Sequence, residues 1–145
     1  MRASLGLASP VSEQPDRPIK VLLVDDSNVV RSIFARMLSD SGEVEIVGEA
    51  GNSEDALRQL KNVQPDIILL DIEMPEYNGF ELLSFFRDVD FEIIFVTAYN
   101  DYALKAFEVA AVDYVLKPVD IDKLRAAVDR ATKRLEGHDM KNRLD

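Results

Sequence analysis

The sequence predicts a doubly wound α/β fold, in which a five-stranded parallel sheet of order 2-1-3-4-5 carries helices on both faces. Short apolar runs such as residues 67–70 recur along the chain and are typical of strands buried on both faces. Stretches with apolar residues at helical spacing separate these runs, which favours parallel strands joined by helical crossovers. Right-handed crossovers leave few topologies, and 2-1-3-4-5 is the commonest for five strands with one switch point.

The strands are predicted from apolar runs that end abruptly in polar or turn-forming residues. The first run leads directly into Asp25 and Asp26, and the third lies between Pro65 and Asp71. Each run is four to six residues long, a typical strand length. The predicted strands are residues 19–24, 44–47, 67–70, 92–96 and 113–116.

The helices are predicted from apolar stripes and from residues that begin or end helices. Ser27 or Asn28 is suited to cap the first helix and Gly42 to end it, while Ser53 opens the second. Asp120 is suited to cap the last helix, which we expect to end at Gly137. The two helices between them are predicted over residues 79–87 and 102–109. The residues expected to face the core are Val30, Ile33, Phe34, Met37, Leu38, Ala56, Leu57, Leu60, Leu82, Leu83, Phe86, Ala103, Ala106, Phe107, Ile121, Leu124, Val128, Ala131 and Leu135.

Composition narrows the possible functions. The chain has 145 residues, which usually means one domain, and a net charge of −10, which disfavours affinity for nucleic acid or anionic membranes. It has no cysteine, which excludes disulfides and thiol catalysis. No apolar run approaches the ~20 residues of a membrane helix, and the first residues do not resemble a signal peptide. We therefore expect a cytoplasmic domain over residues 19–136, preceded by a flexible tail (residues 1–18) and followed by a polar tail or linker start (residues 137–145).

Polar side chains follow four strands of the predicted sheet. Asp25 and Asp26 follow the first strand, and Asp71, Thr97 and Lys117 follow three others. The carboxyl ends of these strands meet at one edge of such a sheet, where ligands bind. Each residue alone has an ordinary structural explanation, because aspartates start turns, threonine favours strands and lysines cover surfaces. Their convergence at one edge favours a functional site.

Three converging carboxylates require a compensating cation, and Lys117 balances only one of them. Oxygen ligands point to a hard ion such as Mg²⁺, for which Mn²⁺ or Ca²⁺ could substitute. Such a metal leaves coordination positions open for a phosphate oxygen, which suits phosphoryl transfer. Asp71 is the candidate nucleophile, since carboxylates form aspartyl phosphates. The Thr97 hydroxyl and the Lys117 ammonium would contact phosphoryl oxygens.

Short motifs follow one another along the chain: residues 24–26 (Val-Asp-Asp), 70–75 (Leu-Asp-Ile-Glu-Met-Pro), Gly79, 96–98 (Val-Thr-Ala) and 113–118 (Asp-Tyr-Val-Leu-Lys-Pro). In these motifs the sequence resembles bacterial response-regulator receiver domains over about residues 19–135. The first half is similar to chemotaxis-type receivers, and residues 97–108 resemble receivers attached to LytTR-type DNA-binding domains. The fold implied is the flavodoxin-like one with strand order 2-1-3-4-5.

The resemblance implies a role for each site residue. Asp71 would accept a phosphoryl group from a histidine kinase or a phosphotransfer protein, and Thr97 and Lys117 would bind its oxygens. The Lys117–Pro118 peptide would be cis. On phosphorylation, Thr97 would move and Tyr114 would turn inward, which would alter the surface that binds an output protein or effector domain, or a second copy in a homodimer. The implied magnesium ligands are Asp26 directly, Asp25 mainly through water, Asp71, and the backbone carbonyl of Glu73.

Two other functions are compatible with the same fold pattern. One is a constitutive protein-interaction module that does not use phosphorylation, against which the complete acidic set with Thr97 and Lys117 argues. The other is a haloacid-dehalogenase-type phosphatase, which would need a second aspartate where Glu73 stands. We expect the receiver function and neither of these two. In that function the domain catalyses only its own phosphorylation and dephosphorylation and is not a conventional enzyme.

Overall fold

The computed structural model describes residues 17–144, with side chains as far as residue 137. Five strands form one sheet in the order β2-β1-β3-β4-β5, and every neighbouring pair is parallel. The predicted fold class and strand order are therefore confirmed. Numbered β1 to β5, the strands are Ile19–Val24, Val44–Ala50, Ile67–Leu70, Glu92–Thr97 and Asp113–Leu116.

Five helices connect and follow the strands. Three of them begin at polar caps, because the side chains of Ser27, Asn52 and Asn78 accept hydrogen bonds from backbone N–H groups of the first helical turn. Between residues 17 and 144, no helix is both long enough and apolar enough to cross a membrane. Numbered α1 to α5, the helices are Asn28–Ser39, Ser53–Leu60, Gly79–Leu83, Ala103–Glu108 and Ile121–Leu144.

The sheet is buried on both faces, and β3 shows how its side chains divide. Ile67 and Leu69 belong to the core formed with α1 and α5, whereas Ile68 and Leu70 belong to the core formed with α2, α3 and α4. All four side chains are at most 2% exposed. This burial explains the unbroken apolar run, since a strand covered on both faces has no solvent side to fill with polar residues.

Helix α3 is shorter than the predicted residues 79–87. After Leu83, the N–H groups of Phe85 and Phe86 bond to carbonyls three residues back, those of Leu82 and Leu83. Such bonds tighten the backbone beyond α-helical geometry. Phe86 therefore lies in a turn after the helix and not on its core-facing stripe.

Helix α4 faces the core through a different stripe from the predicted one. Only Ala106 is buried within the helix, with Tyr102 and Val109 partly buried four residues before and three residues after it. Phe107 is 80% exposed, so the expectation that Phe107 faces the core is wrong. The helix has only six residues, and a stripe centred on Ala106 necessarily turns the neighbouring Phe107 outward.

The prediction that Gly137 ends the last helix is also wrong, because α5 continues to Leu144. A glycine inside a helix costs about 1 kcal/mol relative to alanine, which is too little to stop a long helix by itself. Residues 137–144, predicted as a polar tail, are thus helical. Of the predicted flexible tail, residues 1–16 lie outside the described part, and Arg17 forms an ion pair with Asp66 at 2.7 Å.

Candidate functional site

Backbone hydrogen bonds continue the parallel ladder one residue beyond the strand ends and thereby hold the candidate site residues in place. The N–H of Asp71 donates to the carbonyl of Val24 at 2.9 Å, so the aspartate after β3 lies beside the end of β1. The N–H of Lys117 donates to the carbonyl of Thr97 at 2.8 Å, which joins the ends of β5 and β4. The sheet therefore brings together the residues that the sequence placed at its carboxyl edge.

Lys117 bridges two of the three aspartates. Its Nζ lies 2.7 Å from Oδ2 of Asp25 and 3.3 Å from Oδ2 of Asp71. The other oxygen of Asp25 accepts a hydrogen bond from the N–H of Ser27 at 2.9 Å, which holds that carboxylate at the start of α1. The peptide between Lys117 and Pro118 is cis, as the resemblance implied.

The three aspartates form a compact group of oxygen donors. Asp25, Asp26 and Asp71 each offer a carboxylate oxygen, and these oxygens lie within 4.8 Å of one another. Asp25 and Asp71 are 2% and 5% exposed, whereas Asp26 is open to solvent. Carboxylate oxygens at this spacing match the donor set of a hard divalent cation, so the cluster could bind a metal ion.

The electrostatics of the cluster favour the binding of positive charge. Burial raises the pKa of Asp71, the nearby charge of Asp25 raises it further, and Lys117 offsets this only in part. For Lys117, burial alone would lower the pKa, but the hydrogen bond to Asp25 and the charges of both aspartates outweigh it and raise the pKa. The lysine therefore stays charged, and the carboxylates still carry more charge than it balances.

Thr97 and Tyr114 lie in one hydrogen-bonded chain. Thr97 is fully buried, and its Oγ1 accepts from the N–H of Tyr99 at 3.3 Å. The hydroxyl of Tyr114 donates to the carbonyl of Tyr99 and accepts from the N–H of Tyr102 at 3.3 Å. The half-buried ring of Tyr114 thus braces the loop that connects β4 to α4.

The same chain extends to Glu73 in the loop after Asp71. The hydroxyl of Tyr102 donates to Oε2 of Glu73 at 2.5 Å, and this bond raises the pKa of Tyr102 to about 12. Glu73 lies two residues after Asp71 along the chain. We define the tyrosine circuit as Thr97, Tyr99, Tyr114, Tyr102 and Glu73; it begins and ends beside the acidic cluster.

Sequence reasoning missed two contributors to this region. Tyr102 was expected only as the start of a helix, and its partner Glu73 lies 29 residues away. Arg31 was not singled out at all, yet its guanidinium donates to the backbone carbonyl of Asp25 and to Glu49. Arg31 lies one helical turn after the cap residue Ser27, but nothing in that spacing predicts which backbone carbonyl it contacts.

Comparisons with known proteins agree with the fold. A model of the response regulator receiver domain matches residues 21–129. The chain is 42% identical over 117 residues to an uncharacterized response regulatory protein of Vibrio cholerae, covering 80% of this chain and 49% of that protein. It is also 42% identical over 118 residues to the sensory transduction protein LytT of Bacillus cereus, covering 80% and 48%. This chain therefore spans about half the length of these relatives.

Among solved structures, the chain is similar to the response regulatory domain of protein mrkE from Klebsiella pneumoniae. The TM-score is 0.74 at 30% sequence identity, and the similarity covers 82% of this chain and 99% of that domain. The residues that the family model matches, 21–129, contain residues 21–24 of β1 and all of β2 to β5.

Proposed function

Since this chain belongs to the response regulator receiver domain family, we propose that Asp71 accepts a phosphoryl group from the phosphohistidine of a histidine kinase or phosphotransfer protein. Receiver domains of this family act in two-component signalling. The proposal is carried by one observation: three carboxylates converge within 4.8 Å at the edge of the sheet where Lys117 bridges Asp25 and Asp71. A constitutive interaction module would not need this costly arrangement of buried charge.

The transfer is a displacement at phosphorus. A carboxylate oxygen of Asp71 forms the new bond, the bond between phosphorus and the donor's imidazole nitrogen breaks, and its electron pair stays on that nitrogen. Asp71 is held in position for this attack by the hydrogen bond from its backbone N–H to Val24 at the carboxyl edge of the sheet. Lys117, 3.3 Å away, and the hydroxyl of Thr97 are the proposed partners of the phosphoryl oxygens.

We assign Mg²⁺ to the acidic cluster, with Mn²⁺ as a substitute. Asp26 and Asp71 would ligate it directly, Asp25 mainly through water, and Glu73 through its backbone carbonyl. The exposed position of Asp26 and the buried, lysine-bound state of Asp25 support this division. When bound, the ion neutralises the carboxylates and orients the phosphoryl oxygens.

Phosphorylation would then alter the tyrosine circuit. Thr97 would move toward the phosphoryl group and Tyr114 would turn inward, which would release the carbonyl of Tyr99 and the N–H of Tyr102. The surface that changes comprises α4, β5 and the start of α5, where Leu104, Phe107 and Leu116 are exposed. We propose this surface as the binding site of an output protein, an effector domain or a second copy of the chain.

We propose residues 19–136 as the receiver domain, which contains the matched residues 21–129. Receiver domains partner with histidine kinases and output domains, and the matched segment makes up 49% and 48% of the length of the two relatives. The activity of the whole protein therefore depends on a partner or domain that this chain does not specify. Reaction with a histidine kinase would take place in the cytoplasm.

The proposal is tested by the intact mass of the protein after incubation with acetyl phosphate and Mg²⁺. We expect one phosphate adduct that hydroxylamine removes, that excess EDTA prevents, and that Asp71→Asn lacks. Asp26→Asn serves as a matched control: it should keep the acceptor but raise the Mg²⁺ concentration that the adduct requires. An adduct of the same size on Asp71→Asn would overturn the role of Asp71, and a folded wild-type protein that takes no phosphate from acetyl phosphate or a kinase would favour the constitutive module.

A further inference from the structure

Both backbone polar groups of Asp25 are hydrogen-bonded where β1 ends. Its N–H donates to the carbonyl of Ala50, the last residue of β2, at 3.0 Å. Its carbonyl accepts from Nη1 of Arg31 in helix α1. The Nε of Arg31 also donates to Oε1 of Glu49 at 3.1 Å, and Glu49 is the neighbour of Ala50. The turn that carries the acidic pair is therefore connected twice to the end of β2.

The guanidinium of Arg31 is largely enclosed by the protein. The side chain of Arg31 is 15% exposed, whereas that of Glu49 is 42% exposed. A Cβ atom on Gly51 would lie 3.4 Å from Nη1, so the loop after β2 passes directly beside this group. Removing a charge from water is costly unless the charge is paired and hydrogen-bonded. The contacts with Glu49 and with the carbonyl of Asp25 offset that cost.

The direction of the Asp26 carboxylate depends on the backbone that carries it. Asp26 is exposed, and no donor within residues 17–137 bonds to its carboxylate. One of its oxygens nevertheless lies within 4.8 Å of carboxylate oxygens of Asp25 and Asp71. The carbonyl that Arg31 holds belongs to the peptide between Asp25 and Asp26. Because a peptide is planar, holding this carbonyl also fixes the bond from which Asp26 extends.

The pairing with Glu49 compensates a charge that would otherwise oppose metal binding. A guanidinium beside a site for a divalent cation repels that cation, and a neighbouring carboxylate cancels much of the repulsion. Arginine suits this position because its planar fork can serve two acceptors at once, whereas the lysine ammonium is a compact point charge on a flexible stem. The pair of Arg31 and Glu49 therefore supplies a directed hydrogen bond without adding net charge near the acidic cluster.

We propose that Arg31 is a positioning residue for the metal site, where its charge is balanced by Glu49 and its hydrogen bond orients the peptide before Asp26. The carboxylate of Asp26 then meets the acidic cluster, and the affinity for Mg²⁺ rises. The inference rests on the assignment of Mg²⁺ to this cluster in the proposed function. Neither Arg31 nor Glu49 would touch the ion, since both act through the backbone of the turn. Removal of residues that orient metal ligands typically weakens metal affinity roughly 10–100-fold.

The test is the dissociation constant for Mg²⁺ of the unphosphorylated protein, measured from the amide resonances of residues 25–27 as MgCl₂ is added. We expect Arg31→Met to raise this constant roughly tenfold. The sign is informative, because the loss of a nearby positive charge would by itself strengthen Mg²⁺ binding. Arg31→Lys keeps the charge but loses the fork, so it should weaken binding as well. Arg36→Met is the matched control: Arg36 is exposed in the last turn of α1, and its loss should leave the constant unchanged.

Glu49→Gln tests the charge balance separately. The amide oxygen of glutamine can still accept the hydrogen bond from Arg31, but the guanidinium is left uncompensated. We expect Mg²⁺ to bind about twofold more weakly at low salt, and added KCl should remove this difference because it screens the charge. The weaker binding of Arg31→Met should persist in KCl. Glu45→Gln removes the same charge from another exposed glutamate of β2 and should have a smaller effect.

A measurement in the metal-free protein tests the hydrogen bond itself. With ¹³C in the backbone, we expect the carbonyl resonance of Asp25 to move in Arg31→Met and to stay unchanged in Arg36→Met. An unmoved resonance in Arg31→Met would overturn the inference, because the carbonyl would then have no bond to lose.

The Mg²⁺ titrations can also overturn the inference. Unchanged or tighter binding in Arg31→Met would do so, as would wild-type affinity in Arg31→Lys or a Glu49→Gln effect that persists in KCl. If Arg31→Met does not fold, the other two variants still decide. A wild-type protein that binds no Mg²⁺ would overturn the metal assignment and this inference together. A wild-type protein that binds Mg²⁺ but takes up no phosphate would overturn only the proposed role of Asp71, since the titrations concern the unphosphorylated site.

Discussion

At the scale of single residues, the buried charge of Asp71 opposes folding when no metal is bound. Asp71 is 5% exposed, and burial together with Asp25 raises its pKa. A raised pKa means that the ionised carboxylate is more favourable in the unfolded chain than in the folded one. The site therefore keeps an arrangement that costs stability, which is typical of functional sites.

We accordingly predict that Asp71→Asn stabilises the metal-free protein at neutral pH by roughly 1 kcal/mol, a typical size for a single substitution. The amide keeps the shape of the side chain but removes one of the converging charges. Urea unfolding in EDTA measures the change, and Mg²⁺ should narrow the gap because it favours the wild-type carboxylate. Asp26→Asn, on the exposed member of the cluster, should have a smaller effect; a lower stability of Asp71→Asn in EDTA would contradict this account.

The residues at the strand ends could be predicted because sheet topology determines where they meet. Asp25, Asp71, Thr97 and Lys117 each follow a recognisable strand, and parallel strands bring their carboxyl ends to one edge. The bond between Tyr102 and Glu73 could not be predicted in this way. Both residues lie in connections between elements, where the direction of a side chain depends on local turns and not on a repeating pattern.

At the scale of elements, the start of α3 is packed directly against the backbone that carries Asp71. A Cβ atom on Gly79 would lie 2.8 Å from the carbonyl oxygen of Asp71 and 3.2 Å from Cα of Ile72. The N–H of Gly79 also donates to the carbonyl of Ile72 at 2.8 Å. Glycine is therefore needed here because a side chain would collide with the backbone of Asp71 and Ile72. Its backbone conformation does not require glycine, since its φ is not in the left-handed region.

We predict that Gly79→Ala lowers the free energy of unfolding by about 1–3 kcal/mol, the usual cost of overpacking. The backbone after β3 must shift to admit the methyl group, so phosphate uptake by Asp71 should slow as well. Gly137→Ala provides the comparison: beyond the neighbouring residues and backbone of α5 itself, no atom lies within 4 Å of the added Cβ. That change should stabilise by about 0.5–1 kcal/mol, and equal effects of the two substitutions in urea unfolding would argue against the packing explanation.

The elements themselves were predictable to different degrees. β1, β3 and β5 were predicted to the residue, because their apolar runs end at charged or turn-forming residues. The short helices were less predictable: α3 changes to a tighter turn after Leu83, and α4 buries Ala106 but exposes Phe107. In a helix of five or six residues, two or three apolar positions fit several stripes, and only packing against the sheet decides between them.

At the scale of the whole molecule, Asp66 links neighbouring strands at the end of the sheet opposite the acidic cluster. Its carboxylate accepts from the N–H of Lys20 at 2.8 Å and from Arg17 at 2.7 Å and 3.0 Å. Its own backbone N–H bonds to Lys20 and its carbonyl to Glu92, so one residue connects the starts of β1, β3 and β4. Burial alone would raise the pKa of Asp66, but the bonds from Arg17 and Lys20 outweigh it and lower the pKa below its ordinary 3.8.

The lowered pKa of Asp66 determines how its contribution to folding stability changes with pH. The contribution of Asp66 to stability is present above pH 3.8 and is lost as the pH falls through the lower value of the folded state. We therefore predict that Asp66→Asn is less stable than the wild type at neutral pH, and that the difference shrinks in acid. Urea unfolding at a series of pH values measures it, and a difference that stays constant down to about pH 2 would refute the assignment.

The tyrosine circuit also determines the intrinsic fluorescence of this protein. The chain contains no tryptophan and four tyrosines, so its ultraviolet emission comes almost wholly from those four rings. Three of them, Tyr99, Tyr102 and Tyr114, lie in the loop and strand beside the proposed phosphoryl acceptor, and the hydroxyl of Tyr102 donates a hydrogen bond to the carboxylate of Glu73. A phenol bonded to a carboxylate emits weakly, so the unlabelled protein carries its own optical probe at the region expected to rearrange.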